Sequence, residues 1–283
     1  MANSLIEKFC QDLIADIKAN KIILPALPEV ALKARKLLNE QNTTSNQISK
    51  VISADVVITT RLLRAVNSPL YRTQGQVENV KMAITRLGNA NVRSLVTSLA
   101  MEQLYQAGLS KEVKKKLKAN WKHSLHVAAL SFVIARDYTD MSPDEAMLSG
   151  LIHDIGALPI LEYAELLPDI LSNEVALDRL VFLLHTKIGH LILKKWNFPD
   201  ELITVAREHE NLERDSGINP DYTDIVLVAN LLSHVGTNHP HTKLDWNSIP
   251  AFNRLAMTPE ESIAAIKGAH EEIIEIQNIF SQE

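Results

Sequence analysis

Apolar side chains recur at i, i+3, i+4 and i+7 along almost the whole chain. A period near 3.6 lines one face of a helix, whereas a half-buried strand needs a period of 2. The composition agrees. Glycine fills 9 of 283 positions and aromatic residues make up 5%, and a strand-and-turn protein would use more of both. Hydrophobic residues at 46% and charged residues at 22% exclude a disordered tail. The expected fold is all-α, a multi-helix bundle with short joints.

Helix boundaries are marked in several places. Ser142-Pro143-Asp144-Glu145 reads as a capping box with proline at the first helical position, ahead of Ala146, Leu148 and Leu151. Thr258-Pro259-Glu260-Glu261 repeats the device before a last helix predicted from Pro259 to Phe280, whose isoleucines suit either the core or a homodimer contact. Gly88, Gly156 and Gly236 read as helix stops, and Pro199 as the opening of a helix through Leu202, Val205 and Ala206. The run KEVKKKLKAN, Lys111 to Asn120, reads as a solvated helix face at a junction. It divides the chain into an N-terminal helical lobe, 1–110, a second helical lobe, 111–236, and a C-terminal loop and helical extension, 237–283. The irregular stretch Thr237 to Pro250, with His239 and His241, reads as a surface loop without a function.

Lys plus Arg total 29 against 34 Asp plus Glu, a net charge of -5 that disfavours nucleic acid as a partner. The single cysteine, Cys10, allows no disulfide within the chain and fits a reducing compartment. The first 20 residues carry charges at helical spacing and no apolar core of a secretory signal. The most apolar stretch, Leu180 to Leu193, is broken by His185, Lys187, Gly189 and His190, whereas a membrane span needs about 20 apolar residues. A soluble cytoplasmic protein is expected.

The chemistry of the chain centres on His153-Asp154, predicted to close the helix that opens at Pro143. Neighbours on a helix point about 100° apart, but at a terminus before glycine an imidazole nitrogen and a carboxylate oxygen can reach one cation. His123, with His126 near it, lies one helix upstream; His185, with His190 near it, lies one helix downstream. His209, flanked by Glu208 and Glu210, ends the helix opened by Pro199. Histidines and a carboxylate from successive helices form the donor set with which helical metallohydrolases hold divalent ions and activate water. A shared metal requires His123, His153, Asp154 and His209 to converge within about 5 Å, roughly twice a metal–ligand bond.

This order of ligands resembles the HD superfamily of metal-dependent phosphohydrolases, with its HD-GYP branch. The upstream motifs resemble the HDOD domain more specifically: LPALPEV from Leu24 to Val30, DVVITTRLLRAVNSPLY from Asp55 to Tyr71, and VKMAITRLGNANVRSLV from Val80 to Val96. WKHSLHVA and GLIHDIG follow in order, and the resemblance spans roughly Ile22 to Asn211. It implies an all-helical bacterial protein of signalling or regulation, with His123, His153, Asp154, His185 and His209 as metal ligands. Glu208 and Asn230 are further candidate donors. The chain departs from the active pattern at Glu208, where two-metal members have histidine, and at Asn230, where the last ligand is an aspartate. It also has Ala157 where HD-GYP enzymes place lysine, and no Gly-Tyr-Pro motif.

Two functions follow. One is a non-catalytic or weakly active regulatory module that binds a partner protein and holds one divalent metal (Fe, Mn or Mg) or a nucleotide. The other is a metal-dependent phosphohydrolase of nucleotides or other phosphoesters, with Asp154 in the catalytic machinery. Asn67-Ser68-Pro69, Arg61 and Arg64 read as structural, and Leu24, Leu27 and Val30 as the contact that docks the first lobe on the second.

Overall fold

In a computed structural model of the chain, residues 9, 11–17, 19, 24–40, 43–71, 75–105 and 110–280 are described. Cys10 and most of the segment read for a secretory signal lie outside the described residues. Among those described there is no strand, and fourteen α-helices follow one another.

The longest of them is the one the lysine run opens. Lys111–Tyr138 spans 28 residues, and the Ser110 hydroxyl accepts from the Val113 amide to start it. Its first three turns bury Val113, Leu117 and Trp121, one residue per turn, with the lysines outward. From Ser124 to Ala135 almost every position is buried, so the second half is covered on all sides. This helix is the axis of the molecule.

The first four helices, α1 (Glu29–Asn39), α2 (Ser45–Ile52), α3 (Val56–Val66) and α4 (Val80–Met101), pack on one another before the axial helix, α5. Gly88 ends a helical stretch inside α4 as predicted: at φ 79° and ψ 166° it interrupts the helical geometry, a conformation that costs glycine little, and a second stretch follows at once. Asn67 bonds the Leu63 carbonyl and both the amide and carbonyl of Val77, which makes the Asn-Ser-Pro segment a structural clasp. Arg61 pairs with Glu102 at 2.7 Å and bonds the Phe280 carbonyl at 2.8 Å.

The next helices are α6 (Pro143–Ile152), α7 (Ala157–Ala164), α8 (Pro168–Leu171), α9 (Glu174–Lys195), α10 (Asp200–Glu208) and α11 (Tyr222–Ser233). Ser142 caps α6 through the Glu145 amide, but the Glu145 side chain lies toward Arg93, so the box is half-closed. The N-terminal segment docks where it was expected to. Leu24 and Leu27 are buried, and the Trp196 indole donates to the Pro25 carbonyl at 2.9 Å. Arg35 lies over the Phe198 ring, and Tyr71 donates to Asp144.

The chain ends in α12 (Pro250–Arg254), α13 (Pro259–Gly268) and α14 (His270–Phe280), the last two separated at Ala269 where one continuous helix was predicted. The Thr258–Glu261 capping box closes in both directions. α14 buries Ile273, Ile276, Ile279 and Phe280 against α5 and α3. One hydrophobic core thus runs from Phe9 to Phe280, through all three segments of the predicted division.

Candidate metal centre

The turn that carries His153 and Asp154 is pressed onto α9 at Gly156. A Cβ on Gly156 would lie 1.9 Å from the His185 carbonyl oxygen, so only glycine admits this approach. Gly150 does the same toward α5, where a Cβ would meet the Ala128 backbone at 2.8 Å. Two glycines of one short segment therefore bring His123, His153, Asp154 and His185 within reach of one another. His209 arrives as the C-cap of α10.

Asp154 lies at the centre. Its Oδ1 is 3.4 Å from Nε2 of His185 and of His209, and its Oδ2 is 3.5 Å from Nε2 of His153 and 3.9 Å from Nε2 of His123. Asp154 thus joins two donor groups, His123–His153–Asp154 and Asp154–His185–His209, in each of which one donor atom from every residue lies within 4.8 Å of the others. The Asn120 amide adds a bond to Oδ2 at 3.3 Å.

The backbone sets the tautomers. Nδ1 of His153 lies 2.7 Å from the Gly150 carbonyl, Nδ1 of His185 2.9 Å from that of Val181, and Nδ1 of His209 3.0 Å from that of Val205. A carbonyl oxygen only accepts, so each Nδ1 carries the proton and each Nε2 keeps a lone pair for the interior. This is how protein matrices hold metal-ligating imidazoles. Nε2 of His185 and of His209 then face each other at 3.1 Å, and the buried Nε2 of His153 has no hydrogen-bond partner. Lone pairs so placed need positive charge between them. The donor triangle has edges of 3.1, 3.4 and 3.4 Å, short enough for all three atoms to reach one ion through bonds of about 2.1 Å.

The electrostatics fit. Burial alone would raise the Asp154 carboxyl, but His153, His185 and His209 outweigh it and hold the group well below the usual carboxylate range. Burial pushes His153 down to about 3 and keeps it neutral. For His209 burial is outweighed by the bond and charge of Asp154, which raise it.

The two further candidate donors behave differently. Glu208 turns away, paired with Arg207 and, at 3.5 Å, with Arg214. It is the last helical residue of α10, on the far side from the pocket. Glu210 takes its place in the wall, one residue beyond His209, bonded to the Asn230 amide at 3.1 Å. Asn230 faces the pocket, and its buried Oδ1 has no hydrogen-bond partner. His126 bonds Gln277 outside the site, and His190 lines a separate apolar hollow.

The pocket above Asp154 has a volume of about 240 Å³. His234, His239 and His241 line it beside His123, so the stretch read as a plain surface loop is part of its wall. The one sequence signal that points to them is three histidines within eight residues after the α11 helix.

Residues 24–212 match the family model of the HDOD domain. The chain belongs to the HDOD family. Among solved structures, the HDOD chain is similar to a protein of Shewanella amazonensis SB2B provisionally named a metal-dependent phosphohydrolase, at 25% identity and a TM-score of 0.80 over 98% of this chain and 100% of that one. An HDOD domain protein of unknown function from Geobacter sulfurreducens shares the fold at 19% identity and a TM-score of 0.70, over 96% and 97% of the two chains. An uncharacterized protein of Treponema pallidum is 23% identical over 199 residues, 67% of this chain. The HDOD chain spans 38% of the length of that curated relative. No described helix is long and apolar enough to cross a membrane.

Proposed function

We propose that this HDOD chain is a regulatory module that holds one divalent ion, Fe, Mn or Mg, and binds a partner protein, with phosphoester turnover slow or absent. Asp154, His185 and His209 are the primary ligands, with His153 and His123 on the second oxygen of Asp154. A divalent ion bound there supplies Lewis acidity and a water of lowered pKa. The chain's own residues orient the donors through the three carbonyl-bonded Nδ1 atoms, and Asp154 balances the charge.

The observation that carries the regulatory reading is the pocket wall. It holds five histidines and the carboxylates of Asp154, Asp178 and Glu210, and no lysine or arginine among the described residues. A phosphoester entering it meets anions and finds no fixed cation to clamp its oxygens, which phosphoryl-transfer sites supply. Asn230 and Ala157 point the same way, since neither brings the charge that the active pattern has at these positions. The cavity is also below the 300–1,000 Å³ or so of ordinary small-molecule pockets, so it suits an ion and a small anion better than a whole nucleotide. Exposed Phe182 at the rim offers a partner protein an apolar contact beside the ion.

The likeness to the Shewanella protein favours the phosphohydrolase as second reading. Metal analysis of the purified chain, followed by phosphatase and phosphodiesterase assays with added Mn²⁺, Fe²⁺ or Mg²⁺, separates the two. The expected result is bound metal with turnover at background. Turnover that disappears in Asp154→Ala establishes the hydrolase instead, and a chain that takes up no metal defeats both.

A further inference from the structure

The loop after α11 carries a donor group of its own. His234 caps that helix, Gly236 turns the chain back with φ 80°, and His239 and His241 return over the same spot. The His234 and His239 rings stack with centroids 3.7 Å apart and an 11° tilt, so one of them must turn about its side-chain bonds for both to point at one ion, and the His239 and His241 rings meet edge to face at 4.6 Å. One donor nitrogen from each lies within 4.8 Å of the other two.

This convergence is built. The Thr237 hydroxyl donates to the His234 carbonyl at 2.7 Å and accepts from the His239 amide at 3.2 Å. The Thr242 hydroxyl donates to the His239 carbonyl at 2.7 Å, and the indole of buried Trp246 donates to the His241 carbonyl at 2.8 Å. Every turn of the loop is tied, yet the imidazole nitrogens at its centre are poorly served. Nδ1 of His241 is buried with no hydrogen-bond partner, and Nδ1 of His239 accepts only a long 3.3 Å bond from the His241 amide. Glu210 stands beside them, its Oε2 3.6 Å from Nε2 of His241.

We infer that His234, His239 and His241 form a second metal site, distinct from the Asp154 centre, that takes a borderline transition ion such as Zn²⁺ or Co²⁺ with Glu210 as its anionic neighbour. Three imidazoles and a carboxylate are a donor set that suits those ions. The site shares no ligand with the Asp154 set. His123 lies between the two groups, 5.4 Å from His234 and 5.2 Å from His153 by ring centroids. An ion here clips the loop to the end of α11 and fixes one wall of the pocket.

The experiment titrates the full chain with Zn²⁺ by calorimetry and with Co²⁺ by visible absorption, in the wild type, in His239→Ala/His241→Ala and in Asp154→Ala. Circular dichroism melts confirm that each variant is folded. The double variant is expected to lose one equivalent of Zn²⁺, with affinity at this site at least about 100-fold weaker, and the loop-site Co²⁺ band with it. Asp154→Ala is expected to keep both that equivalent and that band. A double variant that binds as many equivalents as the wild type, at unchanged affinity, overturns the site. So does an Asp154→Ala chain that loses every equivalent with the loop histidines intact. If Asp154→Ala loses nothing while the double variant loses one equivalent, the loop site stands and the Asp154 centre falls.

Discussion

The two ends of α6 each carry an aspartate, and the two acids are pushed in opposite directions. Asp144, in the first turn, sits where the helix dipole favours a negative charge, yet burial lifts it to about 6 and its partner is the Tyr71 hydroxyl. Asp154, past the last turn, sits where the dipole opposes a negative charge, yet it is held ionised and well below the usual range by the imidazoles around it. The dipole therefore decides neither. The identity of the neighbours does: burial beside a single phenol lifts Asp144, whereas the histidines around Asp154 hold it ionised.

The largest effect comes from breaking the Asp154 end at its geometric support. Gly156→Ala forces a Cβ into the His185 carbonyl and should cost about 3 kcal/mol or more in denaturant unfolding, with loss of metal uptake. At the other end, Asp144→Asn should flatten the pH dependence of stability. A folded pKa of about 6 against an ordinary 3.8 means that the folded state holds the proton more tightly. Asp144 thus adds stability that is fully present below pH 3.8 and lost as pH rises through 6. Urea melts of wild type and variant from pH 4 to 7 should differ by an amount that changes by up to about 3 kcal/mol across that window. A constant difference would show that Asp144 titrates normally.

Asp154→Ala should weaken binding at the centre by more than about 100-fold, measured by calorimetry with Mn²⁺, because it removes the anion both donor groups share. Asn230→Asp sharpens the contrast by adding a carboxylate. It should tighten Mn²⁺ by about tenfold and, through repulsion with Glu210, lower metal-free stability by ~1 kcal/mol. Glu208→Gln should do least, leaving Mn²⁺ affinity within about twofold and stability within ~0.5 kcal/mol, since its partners are the half-exposed Arg207 and the distant end of Arg214. A large loss of affinity there would return Glu208 to the ligand set.

Much of the site was legible in the sequence. A doublet before glycine, and histidines at the ends or faces of flanking helices, can be located from caps and periodicity, and the structure gathers His123 and His153 at one oxygen of Asp154 and His185 and His209 at the other. The choice between Glu208 and Glu210 was not legible. The two flank His209 at the helix end, and their partners separate them: Glu208 pairs with Arg207 and Arg214, whereas Glu210 accepts from Asn230 in the pocket wall. Gly88, by contrast, was legible: a glycine after a periodic segment marks the break at φ 79°, and a second helical stretch follows it.

The sequence by itself determined the helical class, most helix starts and the inventory of donors, because these depend on interactions within three or four residues. Only the tertiary structure decided which donors meet. Asp154 reaches α9 because Gly156 leaves room for a backbone thirty residues away, and the loop histidines return to α11 because Trp246 is buried and ties the His241 carbonyl. Such contacts are long-range steric and hydrogen-bonding facts, and no local pattern encodes them.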